Sequence, residues 1–346
     1  MAQRNQIQLF LQSKMEIMLN FWKQLNPPYY MLAPMEDVSD TAFREIVLRI
    51  SNPDFLHVLY TEFTNTDGLC HPIGRDKVKT RLQVNETEKV LLKEKNVKLV
   101  AQIWGNKPEK FHEATKFISE NYDFDGIDIN MGCPVKKVVK QGSCSALIKF
   151  PDLAGEIIQA TKDATKLPVS IKTRTGFTKH ITEEWIGFLL TQNPAAIILH
   201  TRTQKMQTDF PAEWEEMGKA LAVRNKINPD IPLIGNGDIF SMETAKELHL
   251  KYPIDGFMIG RGIFHNPWFF NPNYKADITT KLVTLLAHSR LYIKTWGHER
   301  NFQVLKRFFK IYINEFDGAA ALRALLMEAE NLEEVEAIIA TFKKSL

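Results

Sequence analysis

Cysteine is scarce in this sequence. The 346 residues hold three, Cys70, Cys133 and Cys144. The number is odd, no two form a C-x-x-C pair, and none stands with histidine at zinc-site spacing. A disulfide framework and a structural zinc are both disfavoured, no metal is expected, and a reducing, cytoplasmic setting fits best. Long apolar runs are also missing, so no segment reaches membrane-spanning length. Charge of one sign is missing too: 44 Lys and Arg against 41 Asp and Glu leave a net charge of +3, which alone points to no partner.

The N-terminal stretch MAQRNQIQLFLQSKMEIMLNFWKQL has no compact apolar core and no small-residue cleavage site. It is not read as a signal peptide. Leu9, Phe10, Leu11, Met15, Met18, Leu19 and Trp22 have rough helical spacing. They predict a helical extension over residues 1–28, packed on the body, with a membrane-surface helix as the alternative.

What the sequence does contain is alternation. Eight β-rich runs recur: YYMLAP (29–34), HVLYTEF (57–63), VKLVAQIWG (97–105), FDGIDINMG (124–132), LPVSIKTRTG (167–176), AAIILHTRT (195–203), IPLIGNGDI (231–239) and IDGFMIGRGIF (254–264). Amphipathic segments of helical length separate most of them, with Pro, Asp, Thr or Ser at their starts. The link between runs two and three is charged and less clearly one helix. The pattern predicts an α/β fold over 29–272, a (β/α)₈ TIM barrel. An open doubly wound sheet is the alternative, because periodicity does not show closure. Residues 281–346 read as helices only, so 273–346 is expected to form a small all-helical domain. Seven Lys/Arg and one acid fall in 281–310, against seven acids and three bases in 311–346. That asymmetry is either a solvated face or a cationic surface for an anionic polymer.

In a closed barrel the chemistry sits at the C-terminal strand ends. Those ends read Ala33-Pro34-Met35-Glu36, Gln102, Asp128-Ile129-Asn130-Met131-Gly132-Cys133, Lys172-Thr173-Arg174, His200-Thr201-Arg202, Gly235-Asn236-Gly237-Asp238 and Gly260-Arg261-Gly262. Residues two apart share a face, which pairs Lys172 with Arg174, His200 with Arg202, and Asp128 with Asn130. A salt-bridged barrel mouth explains any one pair; polar groups at nearly every end favour a site. The glycines of the last two ends, with Arg261, suit a phosphate after strands seven and eight. A cofactor with one phosphate and an apolar body, such as FMN, would lie across the mouth. Its ring would rest near Pro34 and Met35, with Gln102 at its edge and the Lys172 charge nearby. Cys133, between glycine and proline at a strand end, reads as packing, a metal ligand, half a disulfide or a reactive group. Count and spacing weaken the second and third.

APMEDVSDTAFR, DINMGCPVKKVVKQGSCSALIK, IKTRTGF, LHTRTQ, GNGDI and GFMIGRG, in that order, resemble the tRNA-dihydrouridine synthases over residues 29–310. The Gly-Cys-Pro segment followed by Lys and Ser-Ala-Leu is the most specific part. The resemblance implies an FMN enzyme that uses NADPH to reduce the 5,6-double bond of a uridine in tRNA. Cys133 is then the proton donor to the 5-carbon. Cofactor contacts fall on Pro34, Met35, Glu36, Gln102, Lys172, His200, Asn236, Gly237, Asp238, Gly260 and Arg261; candidate substrate contacts are Asn130, Arg174 and Arg202. The sequence departs from the family pattern in three places: a threonine replaces the usual glycine after His200, Cys144 stands where glycine is common, and LKRFFK replaces an Arg-Lys-His near 305–310.

A thiol at its ordinary pKa of about 8.5 is mostly protonated at pH 7 and is a competent donor. Cys144 and Cys70 read as packing residues. Lys136, Lys137 and Lys140 read as the edge of a lid over the substrate. The basic stretch 281–310, with Tyr292, Trp296, Phe302 and Phe308 interleaved mostly as helix core, is the expected tRNA surface. A monomer is expected. Two rivals remain: another FMN oxidoreductase acting on a small molecule, which has no use for the basic C-terminal part, and a non-catalytic tRNA-binding protein, which would be colourless.

Overall fold

The computed structural model describes residues 20–297 and 299–344. Eight parallel strands form its centre: β1 (Tyr29–Leu32), β2 (Val58–Tyr60), β3 (Lys98–Trp104), β4 (Gly126–Met131), β5 (Val169–Gly176), β6 (Ile197–Thr203), β7 (Leu233–Asn236) and β8 (Gly256–Ile259). Each strand pairs with the next, and β8 returns to β1 with Tyr29 opposite Gly256. A Cβ on Gly256 would lie 2.6 Å from the Tyr29 carbonyl oxygen, so this closing contact needs glycine. A two-residue strand, Thr64–Asn65, extends the β2 side along β3. The sheet is therefore a closed barrel, and the open-sheet alternative is excluded.

Helices α1 (Thr41–Ile50), α2 (Glu86–Glu94), α3 (Pro108–Asn121), α4 (Pro151–Asp163), α5 (Thr182–Thr191), α6 (Glu215–Ile227) and α7 (Met242–Lys251) alternate with the strands. Their starts follow local chemistry. Asp40 accepts from the Phe43 amide and Ser241 from the Thr244 amide, while Pro108 and Pro151 open α3 and α4, where a missing N–H costs nothing. The charged β2–β3 link breaks into short pieces, Thr66–Cys70, Arg75–Val78 and Lys79–Leu82, before α2.

After β8 comes one short helix, Gly262–His265, followed by α8 (Ile278–Trp296), α9 (Ala319–Glu328) and α10 (Leu332–Lys343), with short helical turns over 302–312. Among the described residues no strand follows Ile259. The helices are fastened to α1. The Phe43 ring meets His288 at 5.6 Å and Phe308 at 5.0 Å, and Trp296 Nε1 donates to Asp40 at 2.8 Å. Tyr292, Trp296 and Phe308 are buried, as expected of helix core. No helix among the described residues is long and apolar enough to cross a membrane.

The expected N-terminal amphipathic helix lies mostly outside the described residues. Within them, Phe21–Lys23 form a single 3₁₀ turn. Phe21 and Trp22 join Tyr29, Met31, Val58, Tyr60, Val100, Ile198, Ile234 and Met258 in an apolar cluster that fills the lower barrel. The inward positions above it are polar. Gln102 stands opposite Asp128, Asp128 opposite Ser170, Asn130 opposite Lys172, Arg174 opposite His200, and His200 opposite Asn236. Parallel register thus gathers the polar strand-end residues into one layer.

Candidate active site

The ends of β1, β5, β6, β7 and β8 surround a cavity of about 180 Å³. Its lining includes Pro34, Met35, Lys172, His200, Arg202, Asn236, Gly237, Asp238, Gly260 and Arg261. Pro34 has no N–H, and that of Met35 is taken by Ser39 Oγ at 2.8 Å, so this rim presents no free backbone donor at 34–35. Gly237 turns with φ +129°, and a Cβ there would lie 2.8 Å from Ala212. The next residue, Asp238, has φ +51°. Its carboxylate accepts from Arg261 at 2.7 Å, from the Ala212 amide at 2.8 Å, and from Arg202. Burial alone would raise the Asp238 pKa. The Arg202 hydrogen bond, the Ala212 amide and the two guanidinium charges outweigh it and hold the carboxyl below its ordinary value. Arg261 keeps 46% of its side chain exposed.

Arg202 and Arg174 are committed to the scaffold. Arg202 donates to the Phe210 carbonyl at 2.6 Å and to His200 Nε2 at 2.8 Å, besides Asp238. Arg174 donates to the carbonyls of Gly132, Thr203 and Gln207 at 2.7, 2.9 and 3.0 Å. A planar five-donor fork suits such work, and these bonds tie together the loops after β4 and β6. A guanidinium only donates, so His200 Nε2 accepts and the ring proton lies on Nδ1. Burial, then the charges of Arg174, Lys172, Arg202 and Arg261, push the His200 pKa far down, and the ring is neutral. Lys172 Nζ donates to Asn236 Oδ1 at 3.2 Å. Burial and then Arg174 lower its pKa to about 8, against the opposing pull of Asp128 and Cys133.

Beside this cavity a chain of hydrogen bonds crosses the barrel interior. Ser170 Oγ donates to Asp128 Oδ1 at 2.6 Å, and Gln102 Nε2 donates to Asp128 Oδ2 at 2.7 Å. Asn130 Nδ2 donates to Gln102 Oε1 at 2.9 Å. Asn130 Oδ1 in turn accepts the backbone N–H groups of Gly132 and Cys133, both at 3.0 Å. Burial raises the Asp128 pKa to about 6, moderated by Ser170, Gln102 and Lys172. Ser170 and the anchoring part of Asp128 are absent from the sequence-based site. The available signal was parity: Ser170 precedes Lys172 by two, as Asp128 precedes Asn130.

Cys133 is half-buried on the loop after β4. Its carbonyl accepts from Ser145 Oγ at 2.8 Å. Its thiol pKa falls to about 7. The Cys144 side chain hydrogen-bonds to it; burial opposes this, and the Val135 amide and the Arg174 and Lys172 charges add to it. The expectation of an ordinary thiol is thus corrected: near pH 7 Cys133 is divided between thiol and thiolate. Cys144 and Cys70 are buried, as expected. Cys144 has φ +55°, the backbone region where glycine is at ease.

Glu36 lies apart from the cavity and pairs with Arg81. The Glu36, Asp37 and Glu62 carboxylates come within 4.8 Å of one another. Arg81, Arg300 and Arg307 surround them, with Arg300 Nη2 2.6 Å from Glu62 and Arg307 Nη2 3.8 Å from Asp37. Cations balance the group, so it is an ion-pair network.

Within the basic stretch 281–310, Lys281, Arg300 and Lys306 are turned inward. Lys281 donates to the Asn314 carbonyl at 2.8 Å, Arg290 to Glu336 at 2.7 Å and Lys306 to the Met327 carbonyl at 2.5 Å, while Arg300 and Arg307 bind the acidic group. Arg290 and Arg307 make these pairs from exposed positions, and Lys294 and Lys310 are exposed too, as are Lys136, Lys137 and Lys140 on the short helix Lys136–Lys140.

A sequence profile described as "Dihydrouridine synthase (Dus)" matches residues 31–346. A probable tRNA-dihydrouridine synthase of Staphylococcus aureus (strain COL) is 43% identical over 331 residues, covering 94% of this chain and 97% of that protein. A probable tRNA-dihydrouridine synthase 2 of Bacillus subtilis (strain 168) is 41% identical over 329 residues, covering 94% and 97%. Among solved structures, a 6-hydroxypseudooxynicotine amine oxidase from Pseudomonas geniculata N1 superposes with a TM-score of 0.51 at 13% identity, over 71% of this chain and 46% of that one, a likeness of fold alone.

Proposed function

This chain belongs to the dihydrouridine synthase family, and from that premise we propose a flavin-dependent reductase that saturates the 5,6-double bond of a uridine in tRNA. The observation that carries the reading is the convergence of Pro34, Met35, Lys172, His200, Asn236, Gly237 and Arg261 on one cavity, with Cys133 held next to it. These residues fit FMN. Gly237 occupies a turn that a Cβ would fill, and with Gly260 and half-exposed Arg261 it suits a phosphate. Lys172, its pKa near 8, keeps a positive charge in the cavity at pH 7. His200 offers Nδ1–H as a neutral donor.

FMN reduced by NADPH would supply the hydride for the uracil 6-carbon. Cys133 delivers the proton to the 5-carbon. Its sulfur is a stronger acid than a free thiol, and Asn130 and Ser145 hold its backbone from both sides. Arg174, through Nε and Nη1 on three carbonyls, and Arg202, through Phe210, His200 and Asp238, contribute by fixing the loops around the site. Gln102 and Asn130 keep the floor beneath Cys133 rigid.

A uridine within folded tRNA must be extruded, at a cost of a few kcal/mol, so contacts outside the pocket have to offset that cost. We assign them to exposed Lys136, Lys137, Lys140, Lys294 and Lys310. The enzyme would act as a monomer in the cytoplasm. The test is direct: purified protein should be yellow and form dihydrouridine in unmodified tRNA with NADPH. Cys133→Ala should keep the flavin and its reduction by NADPH yet fail on the uracil. Dihydrouridine formation at the wild-type rate by Cys133→Ala would overturn the role of the thiol; colourless, inactive protein would overturn the whole reading.

A further inference from the structure

We propose that Cys133 and Cys144 form a peroxide-oxidisable dithiol, a modification site built into the loop after β4. The two side chains are hydrogen-bonding neighbours. The contact is held from the next residue. Ser145 donates both its amide, at 3.4 Å, and its hydroxyl, at 2.8 Å, to the Cys133 carbonyl. Cys144 is fully buried, whereas Cys133 is partly exposed. An oxidant therefore meets Cys133 first and finds Cys144 in place behind it.

Cys133 is also the more reactive sulfur, because its thiolate is populated near neutral pH. Its thiolate attacks one oxygen of hydrogen peroxide and the O–O bond breaks. The departing hydroxide takes up a proton to become water, and Cys133 is left as a sulfenic acid. The Cys144 sulfur then attacks the sulfenic sulfur. An S–S bond forms, the S–O bond breaks, and the hydroxyl leaves with the Cys144 proton as a second water. Two thiols and one peroxide become one disulfide and two waters. Cys70 is an internal control: it is buried, donates to the Lys110 carbonyl at 3.6 Å, and its pKa is pushed up to about 11 by burial and Glu113.

That the disulfide stops turnover rests on the reading of Cys133 as proton donor; the cross-link itself does not. The whole protein is treated with about one equivalent of hydrogen peroxide, unfolded in iodoacetamide, digested and analysed by mass. Expected are loss of two of the three thiols, a peptide pair joined through Cys133 and Cys144, and full recovery with dithiothreitol. Cys144→Ser should instead yield Cys133 trapped by dimedone as sulfenic acid, then sulfinic acid that dithiothreitol does not reverse. Cys70→Ser should leave the cross-link unchanged. Wild-type Cys133 passing to sulfinic acid while Cys144 keeps a free thiol would overturn the proposal, and so would a cross-link through Cys70. A Cys133–Cys144 cross-link that leaves dihydrouridine formation intact would count against the catalytic role of Cys133, not against the dithiol.

Discussion

Asn130 holds Cys133 by its backbone: the amide oxygen of the first accepts the N–H of the second at 3.0 Å. The same oxygen accepts Gly132, and the same side chain donates to Gln102, which Asp128 and Ser170 fix in turn. The thiol therefore takes its position from the barrel floor, and its acidity from Cys144 and nearby cations.

Asn130→Ala removes that anchor without touching the thiol. A displacement of about 1 Å at a reacting group costs on the order of 100-fold in rate. Flavin content and reduction by NADPH should stay near wild type while single-turnover dihydrouridine formation falls about that much.

The pH profile should follow Cys133. A general acid must be protonated, so activity is present below its pKa and declines as pH rises through about 7. Cys144→Ala removes the hydrogen bond that does most to lower this pKa, and the falling limb of kcat/KM should move to higher pH. His200 is neutral throughout the range and should add no limb. A falling limb that stays in place in the variant would show that another group sets it.

Asp128 couples stability to pH. Its folded pKa, about 6, lies above the ordinary value of about 3.9. Between those values the native protein holds a proton that the unfolded chain has released. The group thus favours folding more as pH falls from 6 to 4. Asp128→Asn should match wild type near pH 4.5 and gain stability relative to it near pH 7, as read by thermal unfolding. Asp128→Ala leaves the Ser170 and Gln102 donors without their acceptor, at about 1–3 kcal/mol for each buried group.

Arg300 bridges buried Asp40 and Glu62 and lies 3.8 Å over the Trp296 ring. Arg300→Ala leaves two buried carboxylates short of a cation, which costs about 3–5 kcal/mol. Arg300→Lys should recover only part of this in urea unfolding, since a point charge does not replace a stacked, two-pronged donor.

Replacing Lys136 and Lys140 by Ala should weaken tRNA binding and lower the salt slope by roughly 0.7–0.9 for each phosphate that is no longer neutralised. Flavin retention should not change with either mutation or salt. Unchanged salt dependence in the double variant would remove these lysines from the tRNA surface.

Much of the barrel was legible because its signals are local. Runs such as VKLVAQIWG and AAIILHTRT show strand composition directly, and Asp40, Ser241, Pro108 and Pro151 mark helix starts at the right places. The polar strand ends were legible for the same reason, since parity assigns Lys172, Arg174, His200 and Arg202 to one face. Parity does not say which of those four points at a cavity and which at a carbonyl. Arg174 is tied to the carbonyls of the loops after β4 and β6, whereas Arg202 lines the cavity with Lys172 and His200 while also holding the Phe210 carbonyl. Composition likewise does not sort the basic stretch, in which Arg290, Lys294, Arg307 and Lys310 are exposed and Lys281, Arg300 and Lys306 are not. Lys306 and Arg300 count as surface charge in composition, but their partners, Met327, Asp40 and Glu62, lie far along the chain.

The sequence by itself determined the alternation of strands and helices, the polar ring at the strand ends, and the Gly-Cys-Pro segment that carries the family likeness. Each depends on residues a few positions apart. Only the tertiary structure decided that the sheet closes, that Gln102 and Asn130 lock together, and that Cys133 meets Cys144. Those outcomes depend on register and burial between distant segments: burial sets the acidity of Lys172 and Asp128, and the Cys144 hydrogen bond that of Cys133. A thiol's pKa is a property of its neighbours, and the neighbours are assembled only when the barrel is closed.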